Sequence, residues 1–279
     1  MKDIINTQQP ISSPSGRPGG ALYIIKIGGN IIDDERDLLS FLEEFAAIDG
    51  YKILVHGGGK LATHLAERLN IPQQVVEGRR ITDAETLKIV TMVYAGYINK
   101  NIVAKLQSFN CNALGLCGAD GDAILAHKRK HPVMDYGFVG DVDAINIGMI
   151  DNLIRNNITP IFAPITHDQQ GQLLNTNADT IAQELAKALS HVFEVTLIYL
   201  FEKSGVLLDI NDDKSVIPVI NQVSYKEMKA AEKIFAGMIP KLDNAFEALN
   251  SGIKKVILGK AGKIKDILKG NSGTIITNE

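Results

Sequence analysis

The chain has 279 residues, 45% of them hydrophobic, and 29 basic against 32 acidic side chains leave a net charge of −3. That length holds one large α/β domain or two lobes with a sizeable core, so neither disulfides nor a structural metal are needed as staples. The near balance of charge excludes a strongly basic nucleic-acid binder as the default, and the absence of Trp with only 6% aromatic residues argues against a sugar- or base-stacking surface.

Residues 1–20 are rich in Gln, Ser, Pro and Gly, lack the apolar core of a signal peptide and read as a flexible tail, with order expected from Ala21. From there short β-like runs alternate with helical patterns: LYIIKI, a helix from about Asp34 to Ile48, KILV, and a helix from Gly59 to Leu69. Later strands fall at CNALGLC, ITPIFAP, VTLIYL, KKVIL and TIIT. Strands this apolar are covered on both faces, which predicts an α/β fold: a three-layer αβα sandwich with a mostly parallel central sheet. AILAHKR and YGFVGDVDAI flank a polar link through Lys130, His131 and Pro132, and read as a β-hairpin inserted into that core.

The segment Asp83 to Phe109 is a long helical pattern whose middle, Leu87 to Ile98, is apolar nearly all round. A helix apolar on every face is buried on every face, so a homodimer is expected across residues 83–109. Cys111 and Cys117, if on one strand, lie about 20 Å apart and cannot bridge. Two thiols without a disulfide framework fit a reducing, cytoplasmic setting. No apolar run approaches the roughly 18 residues of a membrane span; the best, Val192 to Phe201, is broken by Glu194.

Two glycine loops carry the first chemical signal. The first strand ends in Lys26-Ile27-Gly28-Gly29-Asn30, and the second in His56-Gly57-Gly58-Gly59-Lys60 running straight into a helix. Glycines at a strand–helix junction let backbone N–H groups converge on an anion, and ligands of open α/β sheets sit beyond the carboxyl ends of the strands. Tight turns needing only small residues are the alternative; two such loops, one beside a lysine, make it the weaker one. Lys26 interrupts an apolar run, so either its stem snorkels to solvent or its amine meets a phosphate, and the second reading is preferred. The Walker pattern is missing, which removes the P-loop NTPases. Gly57-x-Gly59-x-x-Ala62 satisfies the loose dinucleotide fingerprint with Glu77 twenty residues on, but Glu77 follows Pro72 in a polar turn instead of closing a strand. A nicotinamide oxidoreductase is therefore the alternative.

Later, LLNTNADTIAQELAKAL places Asn175, Asn177 and Asp179 around a helix start. As an ordinary helix start, Asn177 is an N-cap and Asp179 complements the helix dipole, which leaves Asn175 unexplained; the alternative is that the three groups at one sheet edge bind substrate and orient lysines. In AGMIPKLDNAFEAL, Lys241 falls in a helix's first turn, where the dipole prefers anions. It is either an exposed lysine or a cation meeting bound phosphate. The six histidines show no metal-ligand spacing, and His56 reads as a strand-end residue orienting its loop. Any metal arrives as Mg²⁺ with a nucleotide.

Taken together, KIGGN, LVHGGGK, EGRRITD, LLNTNAD, EKSGVL and AGMIPK, in this order from Leu22 to Thr277, resemble the amino-acid kinase family. The resemblance implies MgATP-dependent phosphorylation of the side-chain carboxylate of an N-acetyl- or other N-acyl-L-glutamate to an acyl phosphate, a step of arginine biosynthesis. It implies Lys26 and Lys241 as cations on the transferring phosphoryl group, with Asp179 positioning both. Gly28, Gly29 and Gly57 would form the phosphate loop, Gly58 and Gly59 with Arg80 and Asn175 would hold the substrate, and the hairpin would be its lid. ATP would be bound by Glu202, Lys203, Ser204, Gly205, Val206 and Leu207, with Gly237 and Met238. Motif order then divides the chain into a tail (1–20), a substrate-binding and dimerising lobe (21–190) and an ATP-binding lobe (191–279). The N-terminal stretch lacks the amphipathic helix that joins dimers in arginine-inhibited members, which implies a dimer without arginine feedback. Other members, acting on carbamate, aspartate, glutamate or UMP, are the nearest alternatives.

Overall fold

Six of the seven residues of the first strand are hydrophobic, and Leu22, Ile24, Ile25 and Ile27 are fully buried. Every residue from Lys52 to His56 of the second strand is buried as well. Only a strand covered on both faces needs so continuous an apolar pattern. The computed structural model, which describes residues 20–76, 79–209, 211–231, 234 and 238–279, places both strands at the middle of an eight-stranded sheet. In spatial order, numbered along the chain, its strands are β12 (Val219–Ile220), β14 (Thr274–Ile276), β13 (Lys255–Lys260), β11 (Glu194–Phe201), β1 (Ala21–Ile27), β2 (Tyr51–His56), β8 (Thr159–Phe162) and β5 (Ala113–Leu116). All neighbours pair parallel except β13 with β14.

Two cores form, one on each face. Leu22 and Ile24 of β1 look toward α6 (Ile147–Arg155), α7 (Ala178–Leu189) and α9 (Ile239–Asn250). Ile25 and Ile27 look toward α2 (Glu35–Ala46), α3 (Gly59–Arg68) and α10 (Ile264–Leu268). This is the expected αβα sandwich. The strands expected at CNALGLC, ITPIFAP, VTLIYL, KKVIL and TIIT are all present. The helix expected from Asp34 begins at Glu35, because the Asp34 carboxylate accepts from the N–H groups of Arg36 and Asp37 and so caps it.

Three features go beyond the sequence pattern. The hairpin strands β6 (Ile124–Lys128) and β7 (Gly140–Ile145) belong to a second, four-stranded sheet with β9 (Ile165–His167) and β10 (Leu173–Asn175). A short ribbon of β3 (Gln74–Val76) and β4 (Arg79–Ile81) follows α3. The long helix between Asp83 and Phe109 comprises α4 (Ala84–Val90), a π-helical stretch (Thr91–Ile98) and α5 (Asn99–Ser108). Within one chain that stretch is not buried all round: Met92 and Tyr97 are 55% and 65% exposed, because they face away from the core that Val93, Tyr94 and Ile98 join. Cys111 is buried, Cys117 half-buried, and both are free thiols. Residues 1–19 of the expected tail lie outside the described residues. Among the described residues, no helix is long and apolar enough to cross a membrane.

Candidate active site

β1 delivers Lys26 toward the carboxyl end of the sheet, in register with Val55 of β2 and Tyr199 of β11. Its half-buried amine lies 2.7 Å from Oδ1 of Asp179. Asp179 is the second residue of α7, a helix that starts because the Asn177 side chain accepts from the N–H groups of Asp179 and Thr180 at 2.8 and 3.2 Å. The Tyr199 hydroxyl donates to the Asp179 carbonyl at 3.3 Å, and burial raises its pKa, so it stays protonated.

Lys241 is the third residue of α9, with Nζ 4.4 Å from the centroid of the Phe201 ring. Burial holds its pKa below that of an ordinary lysine, Lys26 adds repulsion, and the carboxylates of Asp179 and Glu202 oppose the shift. Asp179 therefore touches Lys26 directly and reaches Lys241 through its field.

The glycine loops complete the floor. Gly28 caps the short helix α1 (Gly29–Asp33), and Gly58 caps α3 with φ +150°. A Cβ on Gly58 would lie 2.2 Å from Cδ1 of Ile98, so only glycine fits against the π-helical stretch. The Gly57 N–H is taken by the Ile27 carbonyl at 3.2 Å. Arg80, on β4, donates to the Gly59 carbonyl at 3.0 Å, to Thr63 Oγ1 at 2.8 Å and to the Gln73 side chain. The Asn175 side chain donates to Thr82 Oγ1 at 3.0 Å.

A cavity of about 270 Å³ brings both glycine loops, Lys26, Arg80, Asn175 and Asp179 together. Tyr94 and Arg129 also line it, and the sequence reading missed both. Tyr94 is hidden in an all-apolar helix. Arg129 ends the first arm of the hairpin beside its polar link, and it pairs with Asp141 of the second arm.

A second, open cleft of about 730 Å³ runs on from Gly28 and Gly29 to Glu202, Lys203, Gly205, Leu207, Met238 and Lys241. Two expected nucleotide residues do not line it: Ser204, and Val206, which is buried in the core with its N–H on Thr274 Oγ1 at 2.8 Å. Gly237 lies outside the described residues, as does Glu77 of the dinucleotide alternative. The cleft adds Lys260, at the carboxyl end of β13. The signal that marks Lys26, a lysine ending a buried strand, was there to be read at Lys260. A third pocket of about 50 Å³, lined by Lys26, Asp179, Tyr199, Phe201 and Lys241, shares Lys26 and Asp179 with the cavity and Phe201 and Lys241 with the cleft.

Two amines and open glycine N–H groups suit a chain of phosphates. Among the described residues, no group of three His, Cys, Asp or Glu is placed to hold a metal ion by itself.

Comparison with known proteins bears on the family and the fold. An acetylglutamate kinase from Bacteroides thetaiotaomicron is 55% identical over 255 residues, spanning 91% of this chain and 98% of the relative. One from Cytophaga hutchinsonii is 56% identical over 252 residues, spanning 90% and 95%. The crystal structure of smu.665 from Streptococcus mutans superposes with a TM-score of 0.73 at 28% identity, covering 92% of this chain and 99% of that one. The carbamate kinase of Giardia lamblia bound to AMP-PNP shares the fold, with a TM-score of 0.69 at 17% identity over 94% and 99% of the two chains. The sequence profile of the amino acid kinase family matches residues 21–259, and the chain belongs to that family.

Proposed function

We propose that the protein is an ATP-dependent kinase that phosphorylates the side-chain carboxylate of N-acetyl-L-glutamate, or of a closely related N-acyl-L-glutamate, to an acyl phosphate. The observation that carries this reading is the small pocket of Lys26, Asp179 and Lys241, which shares residues with both a glycine-floored cavity and a nucleotide-sized cleft. The relatives named acetylglutamate kinase, matched over most of both chains, support it.

In the reaction, a carboxylate oxygen of the substrate attacks the γ-phosphorus, and the bond from that phosphorus to the β–γ bridging oxygen breaks, releasing ADP. The nucleophile is already an anion, so no general base is needed, in keeping with a site of lysines, glycines and one acid. Lys26 and Lys241 approach the transferring group from opposite lobes and offset charge on its oxygens. Asp179 holds Lys26 in place. Gly28, Gly29, Gly58 and Gly59 offer N–H donors, while Arg80 and Asn175 take the α-carboxylate. The nucleotide would lie along Glu202, Lys203, Gly205, Leu207 and Met238 and carry Mg²⁺, which neutralises phosphate charge.

On the same reading, residues 21–190 form the substrate lobe and 191–279 the ATP lobe of one continuous sheet. Two chains pair across the helix of residues 83–109, covering the exposed Met92 and Tyr97. Hydroxylamine trapping of acyl phosphate with MgATP and N-acetyl-L-glutamate tests the function. Turnover is expected; no hydroxamate from N-acetyl-L-glutamate or any other N-acyl-L-glutamate would overturn it.

A further inference from the structure

His56 ends β2 directly before the glycine loop, has no solvent exposure, and plays no part in the chemistry above. Its partners fix its chemical form. Asn99 Nδ2 lies 2.9 Å from the Ile161 carbonyl and 3.1 Å from His56 Nε2. Asn99 Oδ1 faces Lys100 Nζ at 3.2 Å, and that amine also donates to the Gly115 carbonyl at 2.9 Å. Turning the Asn99 amide over would set its oxygen against the Ile161 carbonyl and its NH₂ against an ammonium, so the orientation is determined by the network. Asn99 therefore donates to Nε2, and an Nε2 that accepts leaves the proton on Nδ1. That Nδ1 lies 2.9 Å from the Gly57 carbonyl, which accepts it. Burial keeps the ring neutral, with its pKa pushed down to about 4.

The consequence for the loop follows from peptide geometry. In a trans peptide the C=O of one residue and the N–H of the next lie in one plane and point opposite ways, and no described peptide bond is cis. Holding the Gly57 carbonyl inward on the His56 ring turns the Gly58 N–H outward, toward the cavity that Gly57, Gly58 and Gly59 line. The Gly58 N–H donates to none of the described residues, whereas its neighbour's is spent on Ile27.

We propose that His56 is a positioning residue for phosphoryl transfer: Asn99 sets its Nδ1–H tautomer, and that N–H, by holding the Gly57 carbonyl, aims the Gly58 N–H at oxygen charge developing in the transition state. The proposal rests on the reading of the cavity as the acceptor side of the kinase site. Asparagine can place an N–H donor where Nδ1 stands; glutamine places its amide near Nε2 and leaves the Gly57 carbonyl without its donor. Both variants replace a buried ring with a smaller or differently shaped side chain, so both lose stability. A structural role alone makes activity follow stability in the two.

The experiment measures kcat, the KM for each substrate and the melting temperature of the wild type, His56→Asn and His56→Gln. The expected result is a kcat for His56→Asn within about tenfold of wild type and one for His56→Gln lower by roughly 10²-fold, the size of a lost oxyanion donor, with the KM for MgATP unchanged. Losses of kcat that parallel the two melting temperatures, or a wild-type kcat in His56→Gln, would overturn the role. The tautomer is read separately on the unsubstituted protein by ¹⁵N NMR of the histidine rings: a protonated Nδ1 and bare Nε2 are expected, and the opposite tautomer refutes the proposal even if neither variant folds. Lack of turnover in the wild type would count against the kinase reading and leave the tautomer measurement standing.

Discussion

Lys26 and Lys241 carry the same charge at the site but hold it under different conditions. Lys26 has a carboxylate 2.7 Å away, whereas Lys241 rests on an aromatic ring, where burial weakens its hold on the proton. Since kcat/KM reports groups of the free enzyme, its alkaline limb should fall at a lower pH than an ordinary lysine would give. Lys241→Arg, which stays charged, should move that limb upward; an identical limb in wild type and variant would assign the titration to another group. Lys241→Ala should lower kcat by about 10²–10³-fold, and steady-state assays showing no loss would remove Lys241 from the mechanism. Single residues were legible where they broke a local rule: Lys26 as a charge in an apolar run, Lys241 as a cation at a helix start. Tyr94 and Arg129 broke none. An apolar helix accommodates a tyrosine and a surface hairpin accommodates an arginine, so only the folded chain brings them to the cavity.

At the scale of elements, the long strands and helices followed from their apolar patterns, while short or tertiary-dictated pieces did not. β9 and β10 have three residues each, too few to show a period of two; they pair with each other as a short hairpin, and β9 joins β6 through Leu125 and His167, far apart in sequence. The π-helical stretch is likewise invisible in a run that is apolar on every face; it is fixed by the glycine loop against Tyr94 and Ile98 and by Asn99 beneath the sheet. Two expectations follow from that junction. A Cβ on Gly115 would stand 1.9 Å from Asn99 Oδ1, so Gly115→Ala should lower stability by about 1–3 kcal/mol in denaturant titration; an unchanged midpoint would contradict the packing. His56 has a folded-state pKa of about 4 against 6.5 for the unfolded ring, so between those values the unfolded chain binds the extra proton. Stability from this group is complete above pH 6.5 and is lost as pH falls toward 4, by an amount on the order of 3 kcal/mol. Urea midpoints compared across that range should drop less steeply in His56→Asn than in wild type, and equal slopes would contradict the assignment.

For the whole molecule, the pattern of alternating strands and helices was enough to define the sandwich, because a parallel sheet needs helices on both faces. The net charge of −3 concealed the site, since Lys26, Arg80, Lys241 and Lys260 gather at the same end of the sheet while acids elsewhere balance them. The proposed pairing across the long helix makes an assembly-level expectation: sedimentation equilibrium should give a dimer, and charged substitutions at both Met92 and Tyr97 should give monomers. A wild-type monomer would remove the pairing. The claim on which the rest depends is that lysines from the two lobes meet on the group being transferred. A crystal structure with MgADP, aluminium fluoride and N-acetyl-L-glutamate measures this directly. Both lysine amines should lie within about 3 Å of the fluoride ligands, with the substrate's α-carboxylate on Arg80 and Asn175. Amines of Lys26 and Lys241 directed away from the phosphoryl mimic would contradict the account.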